Sequence, residues 1–117
     1  MSPRNVSLYL SDIIDAAEAI RSFTAGKTFA DYTADNVLRS AVERQFIVIG
    51  EALNQAIQLD NRFADRITDA SRIVRVRHRL THGYFAVADD IIWGIIERHL
   101  EGLLTQIRGV LSERSSD

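Results

Sequence analysis

Between Arg72 and Phe85 the chain reads Arg-Ile-Val-Arg-Val-Arg-His-Arg-Leu-Thr-His-Gly-Tyr-Phe. Arg72, Arg75, Arg77, Arg79, His78 and His82 fall within eleven positions that hold no acid, in a protein of formal net charge −2. Guanidinium groups repel one another and are costly to bury, so such a cluster faces water, carboxylates or phosphates. Two of the three histidines lie here, and histidine is the side chain that titrates near neutrality. Two chemistries compete. In one, His78 and His82, four apart on one helical face, are a metal pair. That pair needs a third ligand, and nothing in the spacing of Asp89 or Asp90 singles them out, so the metal reading is the weaker. In the other, arginine and histidine act together on a phosphate. Arg77 and His82, five apart, stand about 140° apart on a regular helix. Gly83 is expected to end that helix and leave His82 in its last turn. A long arginine side chain then reaches around, or a second copy of the segment supplies the partner across a dimer axis. The plain alternative to both is a solvated cationic helix face, with a histidine at the negative end of the helix dipole.

The elements that position this segment are helical. Val6, Leu10, Ile13, Ala17 and Ile20 recur at spacings of four and three, which predicts an amphipathic helix ending near Ala25-Gly26, where glycine can take the left-handed cap. A polar stretch follows, with Asp35 as N-cap of a second, longer helix marked by Leu38, Val42, Ile49, Leu53 and Ala56. Its middle, Phe46 to Ile49, is apolar around the whole circumference, so that helix belongs at the centre of a bundle or in a subunit interface. Residues 60–70 read as a turn or broken helix. The arginine-rich segment is the third helix, and Ala88-Asp89-Asp90 begins a fourth, its acids favourable at the positive end of the dipole. There Ile92, Ile96, His99 or Leu100, Leu103, Ile107 and Val110 form an apolar stripe. Residues 112–117 are polar and expected to fray. The fold class is all-α, a mostly antiparallel bundle of four or five helices.

At 117 residues the chain fits one domain spanning 1–117, and its 46% hydrophobic and 26% charged residues are ordinary for a soluble globular protein. Absence of cysteine excludes disulfides and thiolate metal sites and fits a reducing cytoplasm. Asp12 and Asp15 interrupt the apolar residues after the N-terminus, which argues against a signal peptide. No apolar run approaches the roughly 18 residues of a membrane span.

Arg77-His78-Arg79-Leu80-Thr81-His82-Gly83-Tyr84-Phe85 resembles the Arg-polar-X3-His signature of HEPN domains, and most closely the HepT-like group of bacterial toxins, whose motif continues as His-X-Tyr. Tyr9-Leu10-X-Asp12-Ile13 is similar to that family's opening, and Ala41-Val42-Glu43-Arg44 with Ile49-Gly50-Glu51-Ala52 to its second-helix pattern. Gly83-Tyr84-Phe85 leading to Ile92-Trp93 resembles its passage into the last helix. The resemblance covers most of the chain in order. It implies a HEPN-like bundle that forms a homodimer, bringing two Arg…His motifs into one cleft as a metal-independent, cofactor-free endoribonuclease. In a type VII-like toxin–antitoxin system such a toxin is paired with an MntA-like nucleotidyltransferase antitoxin. The matching residues are Arg77, His82 and Tyr84, the last being the tyrosine that the antitoxin adenylylates. His78 stands where relatives often carry asparagine or aspartate.

Metal-free RNA cleavage needs a base for the ribose 2′-OH, an acid for the departing 5′-oxygen and positive charge on the phosphorane-like transition state. Histidine suits the proton transfers and arginine the phosphate charge. His82 is therefore expected in proton transfer, Arg77 in phosphate stabilisation and His78 in support. Arg75 and Arg79 would hold flanking phosphates of a tRNA or mRNA substrate, and products would end in a 2′,3′-cyclic phosphate. The alternative is a catalytically silent HEPN-like module that binds RNA, nucleotide or protein in the same basic cleft. Elsewhere, Trp93 reads as packing, Glu43, Arg44 and Glu51 as ion pairs or solvated groups, and His99 as a hydrogen-bonded core residue. Gly50, Gly94 and Gly102 are candidates for close helix approach.

Overall fold

The computed structural model describes residues 5–82 and 89–115, and among these every regular element is a helix. Helix α1 spans Val6–Thr24, with Asn5 as its N-cap accepting from the Leu8 amide at 3.1 Å. Ala25 is its C-cap, and the next residue, Gly26, has a φ of 74°, the left-handed conformation that glycine adopts without steric cost. All five positions expected to face inward, Val6, Leu10, Ile13, Ala17 and Ile20, are buried. Each fully buried aliphatic of this kind contributes about 1.5–3 kcal/mol over its exposed state.

The polar stretch after Gly26 is not all loop. Phe29–Ala34 forms α2, opened by a reciprocal capping box in which Thr28 and Asp31 satisfy each other's backbone amides. Six residues are too few to show a period, and what holds them is Tyr32, buried against Trp93 with ring centroids 5.4 Å apart. Asp35 caps α3 (Asn36–Leu59) as expected, accepting from Val37 and Leu38 at 3.0 Å each. This helix is central: it packs against α1 along most of its length and against α5 on another side. That explains why Phe46 and Ile49 are fully buried while Ile47 and Val48 between them are half-buried.

The broken segment after Leu59 contains α4 (Phe63–Arg66), pinned by Phe63 in the core. Helix α5 (Ala70–Thr81) carries the basic cluster and buries Ala70, Ile73 and Val76 against α3. The expected fourth helix is two: α6 (Asp89–Arg98) and α7 (Leu100–Ser115). The interruption falls on His99, whose ring is drawn towards the start of α5, and the backbone bonds His99 to Ile95 and Leu103 to His99 keep the halves nearly continuous. At the C-terminal end the helix runs on to Ser115, where the sequence alone suggests fraying from Ser112. Glu113 pairs with Arg66 at 2.7 Å and Arg114 lies 5.9 Å over the Phe63 ring, so two tertiary contacts hold that last turn. The result is an all-α bundle, and among the described residues no helix is long and apolar enough to cross a membrane.

Candidate active site and cationic cleft

The arginine-rich helix does not present one basic face. It presents three, and the 100° step of the helix explains the division. Ile73 and Val76 point into the core, and beside them Arg77 lies along α3. The approach is close because residue 50 is glycine: a Cβ there would stand 2.7 Å from Arg77 Cγ and 3.3 Å from the Ile73 carbonyl, and nearer still to Arg77 Cβ. Gly50 is thus the contact point that the sequence marked as a possible close approach, and Arg77 is what approaches. The guanidinium reaches a depression of about 270 Å³ between α1, α3 and α5, shared with Tyr9, Asp12, Glu51 and Gln55. Arg77 Nη2 is 3.8 Å from Glu51 Oε1, and Arg77 Nε is buried without a hydrogen-bond partner. A pair that long and that exposed at Glu51 contributes little to stability. It leaves donor capacity on Arg77 for another acceptor.

His82 caps α5, its amide donating to the His78 carbonyl at 3.1 Å, and its ring packs on His78 with centroids 4.1 Å apart. Both imidazoles are exposed. Among the described residues no three His, Cys, Asp or Glu side chains come together as a metal site, so this histidine pair has no third ligand there. Arg77 lines the depression beside α1 and α3, whereas the His82 ring packs on that of His78 at the end of α5. Tyr84 lies outside the described residues, as does Gly83.

The third face holds Arg72, Arg75 and Arg79, which line a cleft of about 330 Å³ between α5 and α6. Arg98 and His99 complete it from the other wall, over a floor that includes Val76, Gly94 and Ile95. Arg75 and Arg79 are thus brought together as the sequence suggested, but away from Arg77 and in the company of groups it did not assign. Arg98 folds back over Gly94, where a Cβ would stand 3.2 Å from the guanidinium carbon. His99 is half-buried and bonded on both sides: Nδ1 is 3.3 Å from Asp69 Oδ2, and Nε2 is 2.5 Å from Arg72 Nη1. Arginine can only donate, so Nε2 accepts and Nδ1 carries the proton. The expected hydrogen-bonded His99 is therefore real, but it faces a charged cleft.

Other candidates are structural. Trp93 is buried, its indole N–H donating to the Glu97 carboxylate and its ring 6.4 Å from that of Phe29. Glu43 is half-buried, and burial together with the nearby Asp89 raises its carboxyl pKa.

An all-α bundle whose α5 carries an Arg…His motif at its C-terminal end is the arrangement of a HEPN-type helical domain. Residues 13–110 match the family described as ribonuclease HepT-like, and the chain belongs to that family. Among curated relatives, a Thermococcus cleftensis protein named "Probable ribonuclease HepT" is 32% identical over 81% of this chain and 86% of its own length. A protein of Caldanaerobacter subterraneus subsp. tengcongensis with RNase in its name is 30% identical over 90% of this chain and 93% of its own. Another so named, from Methanocaldococcus jannaschii, is 28% identical over 97% and 93%. No solved structure matches the chain at a significant level.

Proposed function

We propose that this chain is a metal-independent endoribonuclease that works as a homodimer in the cytoplasm. It is read as the toxin of a type VII-like toxin–antitoxin system, neutralised by an MntA-like nucleotidyltransferase that adenylylates Tyr84. The observation that carries this reading is the disposition of the motif: Arg77, with spare donors, is held rigidly on α3 at Gly50, while His82 sits exposed at the cap of α5. The two stand five residues apart on α5, and on this reading a second copy brings one chain's arginine to the other's histidine.

In this mechanism one His82 takes the proton of a ribose 2′-OH, and the 2′-oxygen attacks the adjacent phosphorus. The P–O5′ bond breaks as the second copy's His82 donates a proton to the leaving 5′-oxygen. Arg77 stabilises the charge that gathers on the non-bridging oxygens. The products are a 2′,3′-cyclic phosphate and a 5′-hydroxyl. His78 packs on His82 and orients its ring. Adenylylation of Tyr84, next but one to His82, adds bulk and negative charge where substrate phosphates bind, which disfavours RNA.

The test is incubation of the purified protein with tRNA and mRNA in chelator, with the new ends mapped. Cyclic-phosphate ends that vanish in His82→Ala support the enzyme, whereas full cleavage by that variant refutes the assignment. RNA binding without cleavage by the unmodified protein identifies a silent binding module instead. Mass spectrometry after co-expression with the nucleotidyltransferase is expected to find the adduct on Tyr84, and an adduct elsewhere, or none, removes that part of the reading.

A further inference from the structure

We infer that the α5–α6 cleft is a distinct RNA subsite that takes one unpaired nucleotide, its phosphate on the guanidiniums of Arg72 and Arg98 and its base on the apolar floor. The inference rests on the ribonuclease reading for the identity of its ligand, but not on the chemistry at Arg77 and His82. Four arginines line the cleft, and among the described residues no carboxylate lines it or pairs with any of the four. Outside the cleft, by contrast, Arg21, Arg62, Arg66 and Arg108 each pair with an acid, although Arg39, Arg44 and Arg114 form no such pair among the described residues. A protein of net charge −2 that leaves four guanidiniums unmatched around one cavity holds there a strong field for a polyanion.

The cleft is also built rather than accidental. Asp69 stands at the N-cap of α5, where an aspartate ordinarily accepts from the first-turn amides, yet its side chain makes no capping bond. It faces His99 instead, fixing the tautomer that accepts from Arg72. Asp69 and His99 thereby orient Arg72 without neutralising it, since the carboxylate touches the imidazole and not the guanidinium. On the opposite wall Gly94 gives Arg98 room to fold back over α6. Between the walls, Val76 and Ile95 are almost wholly buried, and Ile91 at the rim is 46% exposed. A volume of about 330 Å³ lies at the small end of the roughly 300–1,000 Å³ typical of small-molecule sites. Guanidinium planes above an apolar floor suit a base and its phosphate together. An acidic peptide offers charge but nothing flat for the floor, so single-stranded RNA is the better fit.

Binding of a short single-stranded 2′-O-methyl RNA, which has no attacking hydroxyl, tests this apart from catalysis. Arg72→Ala/Arg98→Ala should bind roughly tenfold more weakly for each arginine removed. The slope of log affinity against log salt should flatten by about 0.7, the value for one lost phosphate contact on a single strand. His99→Leu keeps both arginines and so the wild-type slope, but loses affinity severalfold because Arg72 is no longer oriented. All three positions are at least partly solvent-accessible, and thermal unfolding followed by circular dichroism identifies any variant that misfolds. Wild-type affinity and slope in the folded double variant overturn the inference, whether or not the wild type cleaves RNA. Cleft-dependent binding by a wild type that never cleaves leaves the inference standing and removes the ribonuclease reading.

Discussion

Replacing Gly50 by alanine sets two opposed effects against each other, and their sizes follow from the geometry. Within a helix, glycine to alanine is worth about 1 kcal/mol of stability, because the backbone loses less freedom on folding. At position 50, however, the new methyl would stand 2.7 Å from Arg77 Cγ and 3.3 Å from the Ile73 carbonyl, and closer still to Arg77 Cβ. A Cβ cannot rotate away, so α5 must retreat from α3 by about 1 Å to restore ordinary carbon–carbon separations of roughly 3.5–4.0 Å. That retreat loosens Ile73 and Val76, the apolar anchors of α5, and overpacking of this kind typically costs about 1–3 kcal/mol. Overpacking wins, leaving a net loss of about 1 kcal/mol and a drop of about 3–6 °C in Tm for a domain of this size. Gly102→Ala is the internal control, because nothing lies within 4 Å of a Cβ there and the residue is exposed. It should gain stability by about 1 kcal/mol. The same retreat displaces Arg77, and a 1 Å misplacement of a positioning group costs on the order of a hundredfold in rate, so RNA cleavage should fall by that factor. Circular-dichroism melts of the two variants and a cleavage assay on folded protein measure all three. A Gly50→Ala protein that melts at or above the wild type refutes the close packing of α5 on α3. Arg77→Ala should not rescue it, because the Cβ that causes the conflict remains.

Tyr32 is fully buried and its hydroxyl has no hydrogen-bond partner, so Tyr32→Phe removes an unsatisfied polar atom and should hold or raise stability by up to about 1 kcal/mol in a denaturant titration. Burial, with Glu43 and Asp89 adding to it, raises the phenol pKa, so alkaline difference spectroscopy should find Tyr32, identified by its loss in Tyr32→Phe, silent until the protein unfolds. The Asp60 carboxylate accepts from Arg62 and its pKa is lowered to about 2. Folded below unfolded, it stabilises the protein above the unfolded value near 3.9, and that contribution disappears as pH falls from about 4 to about 2. Asp60→Asn should therefore flatten acid unfolding in that window and lower stability by a constant, pH-independent amount on the neutral side. Glu113, lowered by its bond to Arg66, should behave alike from slightly higher pH, as chemical denaturation at a series of pH values will show.

The long helices were legible because their apolar residues repeat. Leu38, Val42, Ile49, Leu53 and Ala56 on α3, and Leu100, Leu103, Ile107 and Val110 on α7, are buried where the spacing put them. Helix α2 escaped because six residues carry no period, although Thr28 and Asp31 held a capping box in plain view. The break at His99 has no glycine or proline to announce it; its partners Asp69 and Arg72 are distant in sequence and meet it only in the folded chain. The candidate site divides the same way. Arg77, His78 and His82 lie within one contiguous motif and are read directly from it. The cleft was half visible, in Arg72, Arg75 and Arg79 on one face, and half hidden, since Arg98 and His99 come from another helix.

That division bears on how a twelve-residue helix can serve a nuclease at all. If α5 placed every guanidinium on one flank, mutual repulsion would disfavour the fold and the phosphate at the reacting centre would compete with its neighbours for arginine. Spreading the residues around the helix lets Arg77 be immobilised on α3, where rigidity serves transition-state stabilisation. Arg72 and Arg79 meanwhile stay accessible in a cleft where affinity matters more than placement. On the proposed mechanism a second copy brings its His82 to the Arg77 held in this way. Each half of the molecule then holds RNA on its own α5–α6 cleft, while neither half can cut alone. Binding and cleavage should consequently part on dilution: below the dimer dissociation constant, cleavage per chain falls away while cleft-dependent RNA binding persists. Cleavage per chain that stays constant through dissociation, followed by analytical ultracentrifugation, would mean that one chain brings Arg77 and His82 together by itself.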